Sequence, residues 1–495
     1  MDGGSDNTDI LSGDQPQDVY RPAYHFTPPS GWMNDPNGLV FIEGEYHLFY
    51  QHLFPSHWGH AVGPDLVHWT HLPIALEPDE RGLIASGSAV VDWEDRSGFF
   101  DGRPGLVAIF THWRDDAQEQ SIAYSTDNGR TWIKYSGNPV VPNPGIRDFR
   151  DPKVIWHAPT GKWIMVVAVY DRVHFYTSPD LKQWEFASEF GADQGSHAGV
   201  WECPDLFELE VGQSSGVVKW TLHVSINSRT TRAMQYFIGT FDGKRFVNEQ
   251  DGSTTLWTDY GEDYYAAVSW FNLAHGDTRR IWIGWMNNWR YGRLIPTAPW
   301  QGAMSIPREV GLRRIGGDIR LVQQPVAELA ILRRQEHRWT GEVLSPGRNL
   351  LEDIHGKSLE IIAEFELSTA QVVGFKLRKS RDQFTTIAYD VRDSSLFVDR
   401  TSSNGIEFGP DFPGKHEAPL EPSDARIKLH VFLDECSVEV FGNDGEAVLT
   451  DLIFPDPASD GLEVFATDGE AVVTSLVVYT LTPAHAEPEL QNQHA

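Results

Sequence analysis

Asp65-Leu66-Val67-His68-Trp69 decides the fold, because the chain returns to its pattern three times. Asp127-Asn128-Gly129-Arg130-Thr131-Trp132 echoes it, then Asp180-Leu181-Lys182-Gln183-Trp184, then, more loosely, Asp242-Gly243-Lys244-Arg245-Phe246. The aromatic residues stand roughly 50 to 60 positions apart, and short strand-like runs fill the intervals, as four-stranded propeller blades require. Each echo reads as a turn leading into a blade's outer strand, with its aromatic residue packed between blades. A closing blade through Arg280-Ile281-Trp282-Ile283-Gly284-Trp285 brings the count to five.

Composition agrees with an all-β chain. At 495 residues it is too long for one ordinary core. Glycine (44), proline (30) and tryptophan (18) are plentiful, and runs of helical period are scarce. Residues 1–20 are polar and are expected to be disordered. They carry no basic-then-apolar leader, so the chain reads either as an extracellular protein in its mature form or as a cytoplasmic one. The propeller is expected over 21–325. Pro325 to Arg334 combines an N-terminal proline, an apolar face and terminal arginines, so a linker helix is expected over 326–339. Beyond it Leu359, Ile361, Ala363, Phe365 and Leu367 alternate with polar residues, as do Ile427, Leu429, Val431 and Leu433. That alternation predicts a β-sandwich over 340–482, followed by a loose tail at 483–495.

The remaining global features narrow the partners. The formal charge is −30, from 40 basic and 70 acidic residues. Such a surface repels nucleic acid and anionic membranes, and no apolar run reaches membrane-spanning length. A neutral, polar small molecule or polymer is the better fit. Cys203 and Cys436 fall in different expected domains, which argues against a disulfide framework. His52, His57 and His60 lack metal-ligand spacing, so neither a metal nor another cofactor is expected.

Three motifs set a carboxylate beside a ring that restricts its backbone: Asn34-Asp35-Pro36, Arg150-Asp151-Pro152 and Trp201-Glu202-Cys203-Pro204. Asp35 precedes Trp69 by 34 residues and Asp151 precedes Trp184 by 33, so the two occupy equivalent places in two blades. Equivalent early-strand positions of a propeller converge on its axis. Three converging carboxylates suit hydrolysis of a glycosidic bond, which uses one carboxylic acid and one carboxylate. Clustering also raises carboxyl pKa values.

Trp32-Met33-Asn34-Asp35-Pro36-Asn37-Gly38, Arg150-Asp151-Pro152 and Glu202-Cys203 together resemble the invertase, inulinase and levanase family of glycoside hydrolases, family 32. Phe49-Tyr50-Gln51, Trp58-Gly59-His60-Ala61, Ser86-Gly87-Ser88-Ala89, Asp263-Tyr264-Tyr265-Ala266 and Trp285-Met286-Asn287-Asn288-Trp289 extend the resemblance, and His430 to Gly445 resembles the family's sandwich module. The resemblance implies a five-bladed β-propeller followed by a β-sandwich, and a retaining β-fructofuranosidase acting on sucrose, inulin or levan. By the same resemblance Asp35 is the nucleophile, Glu202 the acid/base and Asp151 the stabiliser of the transition state. Asn34, Gln51, Trp58, Ser86, Arg150 and Trp289 then line the fructose subsite, and Cys203 is a candidate for tuning the acid/base. Three rival readings are a fructosyltransferase using the same intermediate, an inverting propeller glycosidase acting on pentose polymers, and a non-catalytic carbohydrate-binding pair of domains.

Overall fold

The computed structural model describes residues 18–484, except 213, 229–231, 404, 406 and 407. Most of the expected disordered segment (1–17) and most of the expected loose tail (485–495) therefore lie outside the described residues. Tyr20, at the end of that segment, is buried, its hydroxyl donating to Pro455 O at 3.0 Å.

Five antiparallel sheets form the first domain. Their innermost strands are Gly31–Ile42, Leu83–Asp92, Phe149–His157, Val200–Glu210 and Tyr265–Ser269. Each touches the next, and the fifth touches the first, which closes a ring. A parallel pairing of Trp300–Gln301 with Gly31–Trp32 helps to seal it, as does Asn272, whose amide bonds both Phe41 N–H and Phe41 C=O. Apolar side chains fill each gap between blades: Phe49, Trp58 and Phe110 between the first two, Val107, Val167 and Leu181 between the next, and so round the ring. This inter-blade burial is the main source of the domain's stability.

The four echoed turns all join the third strand of a blade to its outer strand. Their aspartate carboxylates accept backbone N–H bonds: Asp65 from Val67 and His68, Asp127 from Thr131, Asp180 from Lys182 and Gln183, Asp242 from Lys244 and Arg245. The following residue is left-handed in every case, with φ of 59° at Leu66, 55° at Asn128, 63° at Leu181 and 89° at Gly243. The aromatic residues then pack across blade boundaries. Trp69 stacks near Trp270 and Trp132 meets Phe49 edge-on.

The segment expected as a linker helix over 326–339 is instead a single 3-10 stretch, Ala327–Leu332, followed at once by strand Arg333–Trp339. That strand pairs with Ala471–Leu481 at the edge of the larger sandwich sheet. Val326, Leu329 and Leu332 fill the gap between the domains, so tertiary packing overrides helical propensity. The sandwich itself packs a seven-stranded sheet on a five-stranded one around Leu359, Phe365, Phe375, Val431 and Val464.

Candidate active site

One backbone device recurs in all five blades. Near the start of each innermost strand, two residues stand opposite one on the neighbouring strand, the mark of a β-bulge. The pairs are Asn34–Asp35 against Gln51, Ala85–Ser86 against Thr111, Asp151–Pro152 against Val167, Cys203–Pro204 against Val224, and Ala266–Ala267 against Gly284. Asp151, Cys203 and Ala266 take left-handed φ of 62°, 46° and 53° at these bulges. Pro36, Pro152 and Pro204 lie within or directly after three of them, where the missing N–H costs little because the ladder is already broken. The bulges release these strand ends from pairing and turn their side chains towards the axis. Asp35, Ser86, Asp151, Glu202 and Tyr265 thereby meet from five different blades.

The hydrogen bonds among them are specific. Ser86 Oγ donates to Asp35 Oδ2 at 2.7 Å, and the Cys203 thiol lies 3.5 Å from the same oxygen. Among the described residues Asp35 Oδ1 has no hydrogen-bond partner. Asp151 Oδ2 accepts from Cys203 N–H at 3.0 Å and faces the thiol at 3.7 Å. Glu202 is held on both oxygens. Arg150 Nη2 and Nε reach Oε1 at 2.8 and 3.2 Å, and the Tyr265 hydroxyl donates to Oε2 at 2.5 Å. Asp148 and Gln118 in turn fix the Arg150 guanidinium.

Burial dominates the electrostatics. Asp35 is raised above the usual carboxylate range by desolvation and then by the charge of Glu202, against the neighbouring Asn34 amide and the Ser86 and Cys203 donors. Asp151 is raised by desolvation, against the pull of Arg150. Cys203 is pushed far up by burial and by the surrounding carboxylates, which keeps it a neutral thiol.

The other expected subsite residues divide by position. Asn34 accepts from Trp32 Nε1 at 2.7 Å beside Asp35. Gln51 lies opposite the first bulge with its amide nitrogen buried and, among the described residues, unpartnered, while Ser56 donates to its oxygen. Trp289 is 37% exposed and stacks near Trp32, centroids 6.0 Å apart, at the rim. Trp58, by contrast, has no exposed surface; its indole N–H donates to Ala85 O at 2.9 Å, behind the bulge that presents Ser86. Cys203 bonds the two aspartates and not Glu202. The sequence alone gives no role to Tyr265 beyond its place in Asp263-Tyr264-Tyr265-Ala266, and none to Thr111, which accepts from Asp151 N–H at 3.0 Å. The bulge register would have pointed to both. Among the described residues no cluster of His, Cys, Asp and Glu fits a metal ion.

Comparison with known proteins agrees with this architecture. Residues 25–325 match the glycosyl hydrolases family 32 N-terminal domain and residues 328–480 the family 32 C-terminal domain. A levanase of Bacillus subtilis (strain 168) is 54% identical over 457 residues, covering 90% of this chain and 68% of the relative. An extracellular exo-inulinase of Aspergillus awamori is 39% identical over 492 residues, covering 89% and 90%. A crystal structure of exo-inulinase from the same fungus superposes with a TM-score of 0.87 at 36% identity, covering 95% of this chain and 99% of that one. With both domains matched in order, the chain belongs to family 32 of the glycosyl hydrolases.

Proposed function

We propose that the chain is a retaining, exo-acting β-fructofuranosidase that removes terminal fructosyl units from fructans and sucrose through a covalent fructosyl-enzyme. The observation that carries the mechanism is the asymmetry of Asp35: one oxygen held by Ser86 and Cys203, the other buried and without a hydrogen-bond partner among the described residues. A carboxylate fixed in this way has one lone pair aimed at a ligand. Asp35 Oδ1 attacks the anomeric carbon of the fructosyl unit. The bond to the leaving oxygen breaks as that oxygen takes a proton from Glu202. Water then attacks the same carbon, gives a proton to Glu202, and the ester to Asp35 breaks, so the configuration is retained. Asp151 binds fructose hydroxyls and stabilises the oxocarbenium-like transition state. Arg150 and Tyr265 orient Glu202, and Trp58 acts through the strand that carries Ser86. The 54% identity with a levanase supports levan among the fructans it degrades. The extracellular exo-inulinase relative supports action outside the cell.

Paired variants test this. Asp35→Ala abolishes turnover. Glu202→Ala is crippled on sucrose but still forms the intermediate from a substrate with a good leaving group, and azide then speeds turnover to a β-fructosyl azide. Rescue with retention in Asp35→Ala, or inverted fructose as the first product of the wild type, refutes the assignment. Sugar analysis after incubation with sucrose, inulin and levan side by side ranks the substrates.

A further inference from the structure

The innermost strands carry the catalytic groups at their starts, and their other ends meet at the opposite mouth of the propeller. A cavity of about 340 Å³ opens there. At about 3.3 Å per strand residue, the five residues from Asp151 to Trp156 and the six from Glu202 to Glu208 set it roughly 15 to 20 Å from the catalytic carboxylates. It is no extension of the active site, since a buried ion pair blocks the axis between them: Lys153 Nζ lies 3.2 Å from Asp205 Oδ1 and donates to Ser269 O at 2.6 Å.

We propose that this second mouth is a carbohydrate-binding site that holds fructosyl units of a fructan chain apart from the catalytic centre; the choice of fructan rests on the function proposed above. Three features of its lining support a sugar. The first is aromatic surface. Trp93 is 54% exposed at the rim and Trp220 is half-buried, giving flat apolar faces for the C–H side of a sugar ring, while the Arg96 guanidinium lies over Trp156, 4.4 Å from its centroid. The second is unspent donors: the indole N–H of Trp163, a residue only 3% exposed, and Arg280 Nε are buried without a hydrogen-bond partner among the described residues. The third is Glu208, an exposed carboxylate that makes no hydrogen bond among the described residues and sits in the same wall. Flat apolar faces with a few donors and an acceptor converging on one cavity match the alternating C–H and O–H surface of a sugar. An anion is disfavoured because Glu94 already pairs Arg96, Glu208 stands beside Arg280, and the whole chain is strongly acidic. An apolar ligand would leave the buried donors unpaired.

Calorimetric titration of Asp35→Ala with nystose, a fructan tetrasaccharide, tests the count of sites without consuming the sugar. Two sites per chain are expected, and adding Trp93→Ala or Glu208→Gln removes one. Both side chains are exposed, so neither change endangers folding. In the active enzyme the same two changes leave kcat/KM on sucrose within about twofold, and raise KM on polymeric levan roughly three- to tenfold by loss of the second anchor, with kcat unchanged. A single binding event that neither change affects, with levan kinetics unaltered, overturns the proposal. Failure of the wild type to hydrolyse any fructan would instead count against the function proposed above, while the titration still decides whether the second site exists.

Discussion

Ser86 and Cys203 act on the same oxygen of Asp35, and both stabilise its ionised form. In the proposed mechanism only ionised Asp35 attacks, so activity is expected to fall as pH drops through its raised pKa. Removing either donor raises that pKa further. In Ser86→Ala and Cys203→Ala the acid limb of kcat/KM against pH therefore moves to higher pH while the alkaline limb stays in place. An unmoved acid limb in both would leave the thiol and hydroxyl as packing alone. Tyr265→Phe removes the donor on Glu202 Oε2 and should lower kcat/KM on sucrose roughly tenfold, with little loss on a substrate whose leaving group needs no proton. The meeting of the three carboxylates was legible in the sequence because each stands in a short, rigid motif that contains proline. Tyr265 was not, since its motif Asp263-Tyr264-Tyr265-Ala266 marks the segment but not which of the two adjacent tyrosines reaches the carboxylates. The burial of Trp58 was equally hidden, because a tryptophan in a site motif looks the same whether it faces substrate or backs a strand.

The turns that announced the propeller are self-contained, which is why they could be read. In three of the four turns one aspartate satisfies two backbone N–H groups, and in all four a left-handed residue follows and an aromatic anchors the exit, all within five or six residues. Asp180→Ala strips both acceptor bonds from the Lys182 and Gln183 amides, at a cost of roughly 1 to 2 kcal/mol. The midpoint of thermal unfolding should fall while kcat below it is unchanged; a variant as stable as the wild type would deny these turns a structural part. The bulges that build the site were not legible in the same way. A bulge is a relation between two strands, and only Pro36, Pro152 and Pro204 hint at it from one of them. The misread linker has a similar cause. Its apolar residues have helical spacing, but they serve the gap between domains, and strand Arg333–Trp339 begins where the third helical turn was expected.

At the scale of the molecule, the two domains meet through buried charge as well as apolar contact. Arg308 links Asp259 to Glu439, and Arg400 links Asp263 and Tyr291 to the sandwich core. His25, just ahead of the first blade, lies between two sandwich carboxylates, with Nδ1 2.7 Å from Asp434 and Nε2 2.9 Å from Glu439. Both ring nitrogens face carboxylates, so the imidazolium is favoured, and its pKa rises from 6.5 to about 9 despite burial, through hydrogen bonds to Asp434 and Glu439. A raised pKa stabilises the fold fully below the unfolded value of 6.5, and the contribution is lost as pH climbs through about 9. Its partners behave in the opposite sense. Asp434 and Glu439 are depressed below 3.8 and 4.5 as hydrogen bonds and charge outweigh their burial, so their contribution is present above those values and lost in stronger acid. The clamp is therefore complete between about pH 4.5 and 6.5. His25→Gln removes the charge and leaves two carboxylates buried, at a cost of roughly 3 to 5 kcal/mol within that window. Melting temperatures of the wild type and His25→Gln, taken from pH 5 to pH 9, isolate the contribution, because titrations elsewhere cancel in the difference. The gap should be widest near pH 5 to 6 and close towards pH 9. A gap that stays constant across the range would mean that His25 holds the domains together by shape and not by charge.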